Sequence, residues 1–248
     1  MSPPRLSVNV NKIATLRNSR GGSVPSVLRA VDACLAAGAP GITVHPREDE
    51  RHIRPRDVID IANRLAPRRG DVEFNIEGDA RPGLIDLVLS VRPDQCTLVP
   101  VVRGEVTSQA GWPADTSPDQ LSGIIRRLQG AGIRVSLFVD PAEAPIRWAS
   151  RLRADRVELF TEPFARAFAS GNRVGEDSFA TYAAAAELAH AVGLGVNAGH
   201  DLDLDNLILF RTLPHLDEVS IGHALVSHAL WVGLDRAVRD YLEILEAR

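Results

Sequence analysis

The stretch GITVHPREDERHI, residues 41–53, passes abruptly from an apolar run into a charged turn. Ile42, Thr43 and Val44 suit a short strand bounded by a glycine. His45 ends the run, and Pro46 cannot donate to a ladder. Charged residues from Arg47 to Arg51 then lead to a second histidine, His52. A surface loop explains the charge but not the paired histidines, so the flanking segments must decide.

Outward from this stretch the same arrangement recurs. Short β-type runs lie at 6–10, 41–44, 72–76, 95–99, 133–139, 156–160, 194–198 and 218–221. Segments of helical spacing fall between them. Residues 23–39 place Val27, Leu28, Val31, Cys34 and Leu35 on one face and stop at Gly38; residues 54–67 repeat the pattern. Residues 117–132 open on Ser117 and Pro118, an N-cap and first-turn pair. A further helix is predicted from Asp177 or Ser178 to Gly193, and a long C-terminal one from about Ala224 to Leu245.

Strands alternating with helices predict a parallel sheet. Nearly continuous apolar runs predict strands buried on both faces. Eight such units in 248 residues predict an α/β fold, a TIM (β/α)8 barrel with extra helices, spanning 1–248 as one domain. A doubly wound open sheet is the alternative. However, no G-x-G-x-x-G follows the first run, and no G-x-x-x-x-G-K-[ST] occurs. Residues 161–177, after the sixth run, are more than one connection needs and predict an extra helix or lid.

Composition removes several function classes. A formal charge of -4 supplies no basic field for nucleic acid. No apolar stretch is long enough to span a bilayer, and the N-terminus lacks the layout of a secretory signal. Cys34 and Cys96 have no metal-ligand spacing and read as buried free thiols of a reducing cytoplasm. Lys12 is the only lysine, so chemistry that needs a lysine amine has one candidate.

A barrel of this kind carries its active site at the C-terminal ends of its strands. Those ends present Asn9, Asn11 and Lys12; His45, Arg47 and His52; Glu77; Arg103, Glu105 and Thr107; Asp140; Glu158 and Thr161; Asn197 and His200; Gly222 and His223. His190, His215 and His228 fall elsewhere and read as structural. Together, His45, Glu77, His200 and His223 point to proton transfer near neutral pH, where histidine titrates unaided and a buried glutamate can be tuned to join it. The segments NAGHD (197–201) and SIGHAL (220–225) follow the last two strands, where barrels often hold a phosphate. Gly222 permits close approach, and the helix start beyond it supplies N–H donors. Arg17, Arg20 and Arg47 suggest a second anion subsite. Other readings stay open at this level: a metal-dependent hydrolase using His45, His200, His223, Glu77 and Asp140, a Schiff-base aldolase using Lys12, and a barrel that binds phosphorylated ligands without turnover.

VNVNKIATLRNSRGG (8–22), GITVHPREDERHI, NIEG (75–78), TLVP (97–100), EVTS (105–108), VSLFVD (135–140), VNAGHDL (196–202) and SIGHAL resemble, in this order, the pyridoxine 5'-phosphate synthase family. The likeness covers essentially the whole chain. It implies condensation of 3-amino-2-oxopropyl phosphate with 1-deoxy-D-xylulose 5-phosphate, without metal or organic cofactor. It also implies small phosphorylated substrates as partners and self-association into a homo-oligomer, an octamer among the sizes in view. Carried onto matching positions, His45 is a general base, Glu77 a second acid/base group and His200 a proton donor. Asn9, Arg20, Arg47, His52 and Thr107 are substrate contacts, and Gly222 and His223 part of a phosphate site. Three places depart from the pattern. Asn11-Lys12 stands for Asp-His, where the family pair contacts the deoxyxylulose substrate, Asp201 replaces a glycine beside His200, and Phe160 and Glu162 occupy positions where a polar residue and a glycine are common. Asn11 and Lys12 keep hydrogen-bonding capacity, and the Asp201 carboxylate is expected to point away from any phosphate.

Overall fold

In a strand, successive side chains face opposite ways, so alternation along each β run fixes what lies inside a closed sheet. The computed structural model, which describes residues 3–100 and 108–247, shows eight parallel strands closed into a barrel in chain order. They are β1 Arg5–Asn9, β2 Gly41–Val44, β3 Glu73–Gly78, β4 Gln95–Leu98, β5 Arg134–Val139, β6 Arg156–Phe160, β7 Gly195–Gly199 and β8 Leu216–Ile221. β8 closes on β1 with Ser7 opposite Ser220. Every expected run is a strand, with ends within two residues of those expected.

The expectation of strands apolar on both faces is corrected. The outer face is apolar: Leu6, Val8, Ile42, Val44, Ile76, Leu98, Val135, Leu137, Val157 and Val219 are buried in the layer shared with the helices. The inner face is polar. Ser7 Oγ lies 2.6 Å from Thr43 Oγ1, Asn75 Nδ2 donates to Thr43 at 3.3 Å, and Thr97 donates to Asn75 at 3.1 Å. Asn197 on β7 reaches Gln95 on β4 at 3.4 Å, a span that only the barrel interior permits. Hydrogen bonding makes this burial tolerable, because these polar groups exchange water for a protein partner; Ser136 Oγ, Glu158 Oε2 and Glu218 Oε2 have none among the described residues. Arg134 and Arg156 close the lower end against Glu73, Gln95 and Asn197.

Around the barrel run α1 Asn11–Asn18, α2 Val27–Ala36, α3 Pro55–Leu65, α4 Pro82–Val91, α5 Pro118–Gly130, α6 Glu143–Arg151, α7 Glu162–Ala169, α8 Asn172–Ala191, α9 Leu207–Phe210, α10 His223–Val232 and α11 Leu234–Glu246. α7 is the extra helix expected after the sixth strand. Gly171, at φ 136, separates it from α8, which begins five residues before Asp177. The single C-terminal helix is in fact two, broken at Gly233. Four helices went unforeseen. α1 follows β1 almost directly, α4 is apolar nearly all round and shows no stripe, α6 carries Pro145 in its first turn, where proline is tolerated, and α9 is a single turn of four residues. Ser117 is the N-cap of α5, but its side chain makes no capping bond.

Packing outside the barrel fixes the upper rim. Phe164, Tyr182 and Phe210 cluster between α7, α8 and α9, with Phe164–Phe210 centroids 4.9 Å apart. Tyr182 Oη donates to the Phe160 carbonyl at 2.6 Å, tying α8 to the end of β6. Among the described residues no helix is long and apolar enough to cross a membrane.

Candidate active site

The strand ends open into a cleft of about 350 Å³ lined by Asn9, Asn11, Lys12, His45, Arg47, His52, Glu77, Glu158, His200, Asp201, Gly222 and His223, with several apolar neighbours. That volume suits a small metabolite. A larger groove of about 480 Å³ lies on the outside against α9 and α11, and no strand-end candidate lines it.

His45 stands one residue beyond β2 and is 6% exposed. Its backbone N–H donates to Asn11 Oδ1 at 2.9 Å. Its Nδ1 lies 3.6 Å from Glu77 Oε2. Burial pushes its pKa below the ordinary range, the Glu77 carboxylate opposes this, and the Arg47 and Arg81 charges add to it. The ring is therefore neutral at neutral pH. Its Nε2 is buried without a hydrogen-bond partner among the described residues. His52 meets His45 edge-on at 6.2 Å. Its Nδ1 accepts the Ile53 N–H at 2.9 Å, which places its proton on Nε2. Burial, then repulsion from a protonated His45 and from Arg47, lowers its pKa to about 3.

Glu77 projects from β3 into the interior. Asn9 Nδ2 donates to its Oε2 at 3.4 Å and Ser220 Oγ to its Oε1 at 3.3 Å. Asn9 also accepts the Asn11 N–H at 3.0 Å. Asn9 and Asn11 thus form a polar bracket that joins β1 to Glu77 and His45. An amide performs the Asn11 task without adding a charge.

Glu158 is the residue that sequence reasoning passed over. The sequence places it on the sixth strand and suggests no role for it. It is 3% exposed, lines the cleft, and its Oε2 has no hydrogen-bond partner among the described residues. Burial pushes its carboxyl well above the usual range, and the Glu77 and Glu218 charges push it further. Its environment therefore favours the protonated form. The available signal was a lone carboxylate two places from the end of RVELF, on the inward parity of the strand.

His200 and Asp201 follow β7. His200 Nδ1 lies 2.8 Å from Asp201 Oδ2, and its ring meets Phe160 edge-on at 5.2 Å. Gly222 caps α10, and a Cβ there would meet Asn9 at 3.0 Å. The bare glycine is thus required by Asn9, before any anion is considered. Gly222, His223 and Ala224, at the start of α10, line the cleft, and a helix start leaves its first N–H groups without intrahelical partners.

Two of the candidates do not line the cleft. Arg17 is no anion ligand: it is buried, and its guanidinium is held by Asp57 at 2.5 and 2.9 Å and by the His52 carbonyl at 3.1 Å. Arg20 is exposed and does not line the cleft. Thr107, with Arg103 and Glu105, lies outside the described residues. Lys12 is exposed at the rim, which gives no desolvation to activate its amine. His215 and His228 are paired with Glu187 and Asp240, and His190 stacks on His215 at 3.7 Å. Cys34 and Cys96 are buried free thiols, with pKa values raised to about 12 chiefly by burial. Among the described residues no three His, Cys, Asp or Glu side chains are grouped to share a metal ion.

Chemically the cleft pairs a histidine whose pKa is pushed down with a carboxyl whose pKa is pushed up, and titratable groups driven apart in this way mark acid and base roles. Comparison with known proteins places this geometry in context. A family model described as "Pyridoxal phosphate biosynthesis protein PdxJ" matches residues 6–247. Pyridoxine 5'-phosphate synthase of Christiangramia forsetii is 49% identical over 243 residues, covering 98% of this chain and 99% of its own. The protein of the same name from Xanthomonas axonopodis pv. citri is 50% identical over 251 residues, covering 98% and 97%. Among solved structures, 3-keto-L-gulonate-6-phosphate decarboxylase of Vibrio cholerae superposes with a TM-score of 0.63 at 10% identity, covering 98% of each chain; at that identity it speaks for the fold alone.

Proposed function

The chain belongs to the pyridoxal phosphate biosynthesis protein PdxJ family, and from that premise we propose how its strand-end residues carry out the reaction. Its function is that of a pyridoxine 5'-phosphate synthase, an enzyme of vitamin B6 biosynthesis. The reaction condenses 3-amino-2-oxopropyl phosphate with 1-deoxy-D-xylulose 5-phosphate and releases pyridoxine 5'-phosphate, phosphate and water. Imine formation, loss of water and phosphate, and ring closure each move a proton, and no hydride is transferred.

His45 is the general base: a neutral ring can take a proton from carbon or from the amine. Glu77 stands 3.6 Å behind it to receive or return that proton. Glu158, protonated, delivers a proton to a departing hydroxyl. His200 is the donor on the opposite wall, with its ring fixed by Phe160 and Asp201. Phosphate groups are held by the α10 N-terminus at Gly222 and His223, with Lys12 and Arg47 supplying charge. The single observation that carries this reading is the convergence of His45, Glu77, Glu158 and His200 on one small cleft at the strand C-termini.

The test is direct turnover. Purified protein with both substrates should give the pyridine product by absorbance and mass, and Glu77→Gln and His200→Asn should each abolish it. Folded wild-type protein that yields no product overturns the reading.

The enzyme is proposed to work in the cytoplasm and to self-associate. Leu230 and Trp231, near the end of α10, are 70% and 85% exposed. An apolar pair so exposed favours burial against another copy of the chain.

A further inference from the structure

We propose that Asp201 is a positioning residue for His200, its carboxylate holding the Nδ1 proton so that Nε2 is the nitrogen that exchanges protons with substrate. The proposal deepens the proposed function and rests on His200 acting there.

The geometry is deliberate in three respects. His200 and Asp201 have φ of 90 and 60, the only consecutive non-glycine pair at positive φ among the described residues. Such a conformation is costly for ordinary side chains and persists only where the surroundings impose it. The surroundings do so here. Thr161 Oγ1 donates to the carbonyls of Gly199 and His200, and Asn206 Nδ2 donates to the carbonyl of Asp201 at 3.1 Å. The backbone of three successive residues is thus pinned from β6 and from the start of α9. Second, the turn points Asp201 back at its neighbour, with Oδ2 2.8 Å from Nδ1. The His200 ring is then held by Phe160 at its edge and by Asp201 at one nitrogen. Third, the carboxylate remains ionised. The His200 hydrogen bond holds its pKa below the usual range, burial opposes this, and the His200, His223 and Lys12 charges support it.

An ionised carboxylate can only accept, so Nδ1 must carry the proton in either state of the ring. A carboxylate behind a working histidine fixes tautomer and orientation, and exchange for an amide leaves the fold intact but admits the wrong tautomer.

The experiment compares wild type, Asp201→Asn and Asp201→Gly. Both variants should lose kcat by about 10- to 100-fold, with KM for each substrate within about threefold, since Asp201 acts through His200. Solid-state NMR of 15N-histidine protein, with His200 assigned by His200→Asn, should show a protonated Nδ1 in wild type. In Asp201→Asn the neutral ring should move toward the Nε2–H tautomer. Unchanged kcat, or a raised KM with kcat intact, overturns the proposal. Should wild type make no product, the functional reading fails separately. The tautomer signal then decides alone: a change in Asp201→Asn supports the positioning role, and an identical spectrum overturns it.

Discussion

Glu158 shows how burial converts a residue type into a function. A glutamate at the protein surface is an anion at pH 7; this one is 3% exposed, and burial, with Glu77 and Glu218 beside it, pushes its pKa well above the usual range. His45, buried a few strands away, is pushed the opposite way and stays neutral. The two environments divide acid from base in one cleft. Glu158→Gln keeps the shape and removes the transferable proton. It should lower kcat by roughly 10²- to 10⁴-fold, the range of a general acid, without lowering Tm. Wild-type kcat in that variant would falsify the acid role. His45 and Glu77 were legible as candidates because each stands one step past an apolar run, and His200 because it follows the seventh run within two residues. Glu158 was not, because it lies inside its run and its protonation depends on Glu77 and Glu218, which the chain brings from other strands.

At the scale of elements, the break between α10 and α11 was invisible to periodicity. Residues 223–245 keep an apolar stripe across Gly233, and a lone glycine does not by itself end a helix. Gly233 adopts φ 87 and ψ 154, a conformation open almost only to glycine. The turn starts α11 anew on Gly233, where the Ala237 N–H donates to the Gly233 carbonyl at 3.0 Å, and buries Ala237, Val238, Tyr241 and Leu245. α10 meanwhile stays aimed at the cleft. Gly233→Ala should cost about 1–3 kcal/mol, read as a lower urea midpoint with unchanged slope. An unaltered midpoint would show that the turn carries no strain. The ends of α7 and α8 were misplaced for a related reason: Gly171 at φ 136 punctuates a stretch whose composition reads as helix on both sides.

Across the whole molecule, the polar interior makes stability depend on pH. Glu218 lies at the lower end of the barrel, 1% exposed, and burial with the Glu73 charge raises its pKa to about 8 from an ordinary 4.5. A carboxyl raised on folding contributes stability that is complete below the ordinary value and lost as pH climbs to the folded one. The Glu218 contribution to stability should therefore fall between pH 5 and pH 8, at a limiting slope of about 1.4 kcal/mol per unit, and lower Tm relative to a variant without the carboxyl. Glu218→Gln should flatten that decline. Parallel profiles for the two proteins would mean that Glu218 ionises freely in the fold. The exposed Trp231 face belongs to this scale too. Sedimentation velocity should show a dimer or larger species, and Trp231→Glu should shift it toward monomer. A wild-type protein that sediments only as monomer removes the proposed association.

By itself the sequence determined the barrel, since eight apolar runs alternating with helical segments leave few ways to bury both layers. It also placed His45, Glu77 and His200, because turn chemistry beside a strand is a local property of the chain. The tertiary structure alone decided what the interior contains and what each group does there. Ser7, Thr43, Asn75 and Thr97 become one hydrogen-bonded chain only when four strands stand side by side. Arg17 becomes structural only when Asp57 arrives from α3. Protonation, tautomer and partnership depend on distances between residues far apart in the chain, and those distances exist only once the barrel has closed.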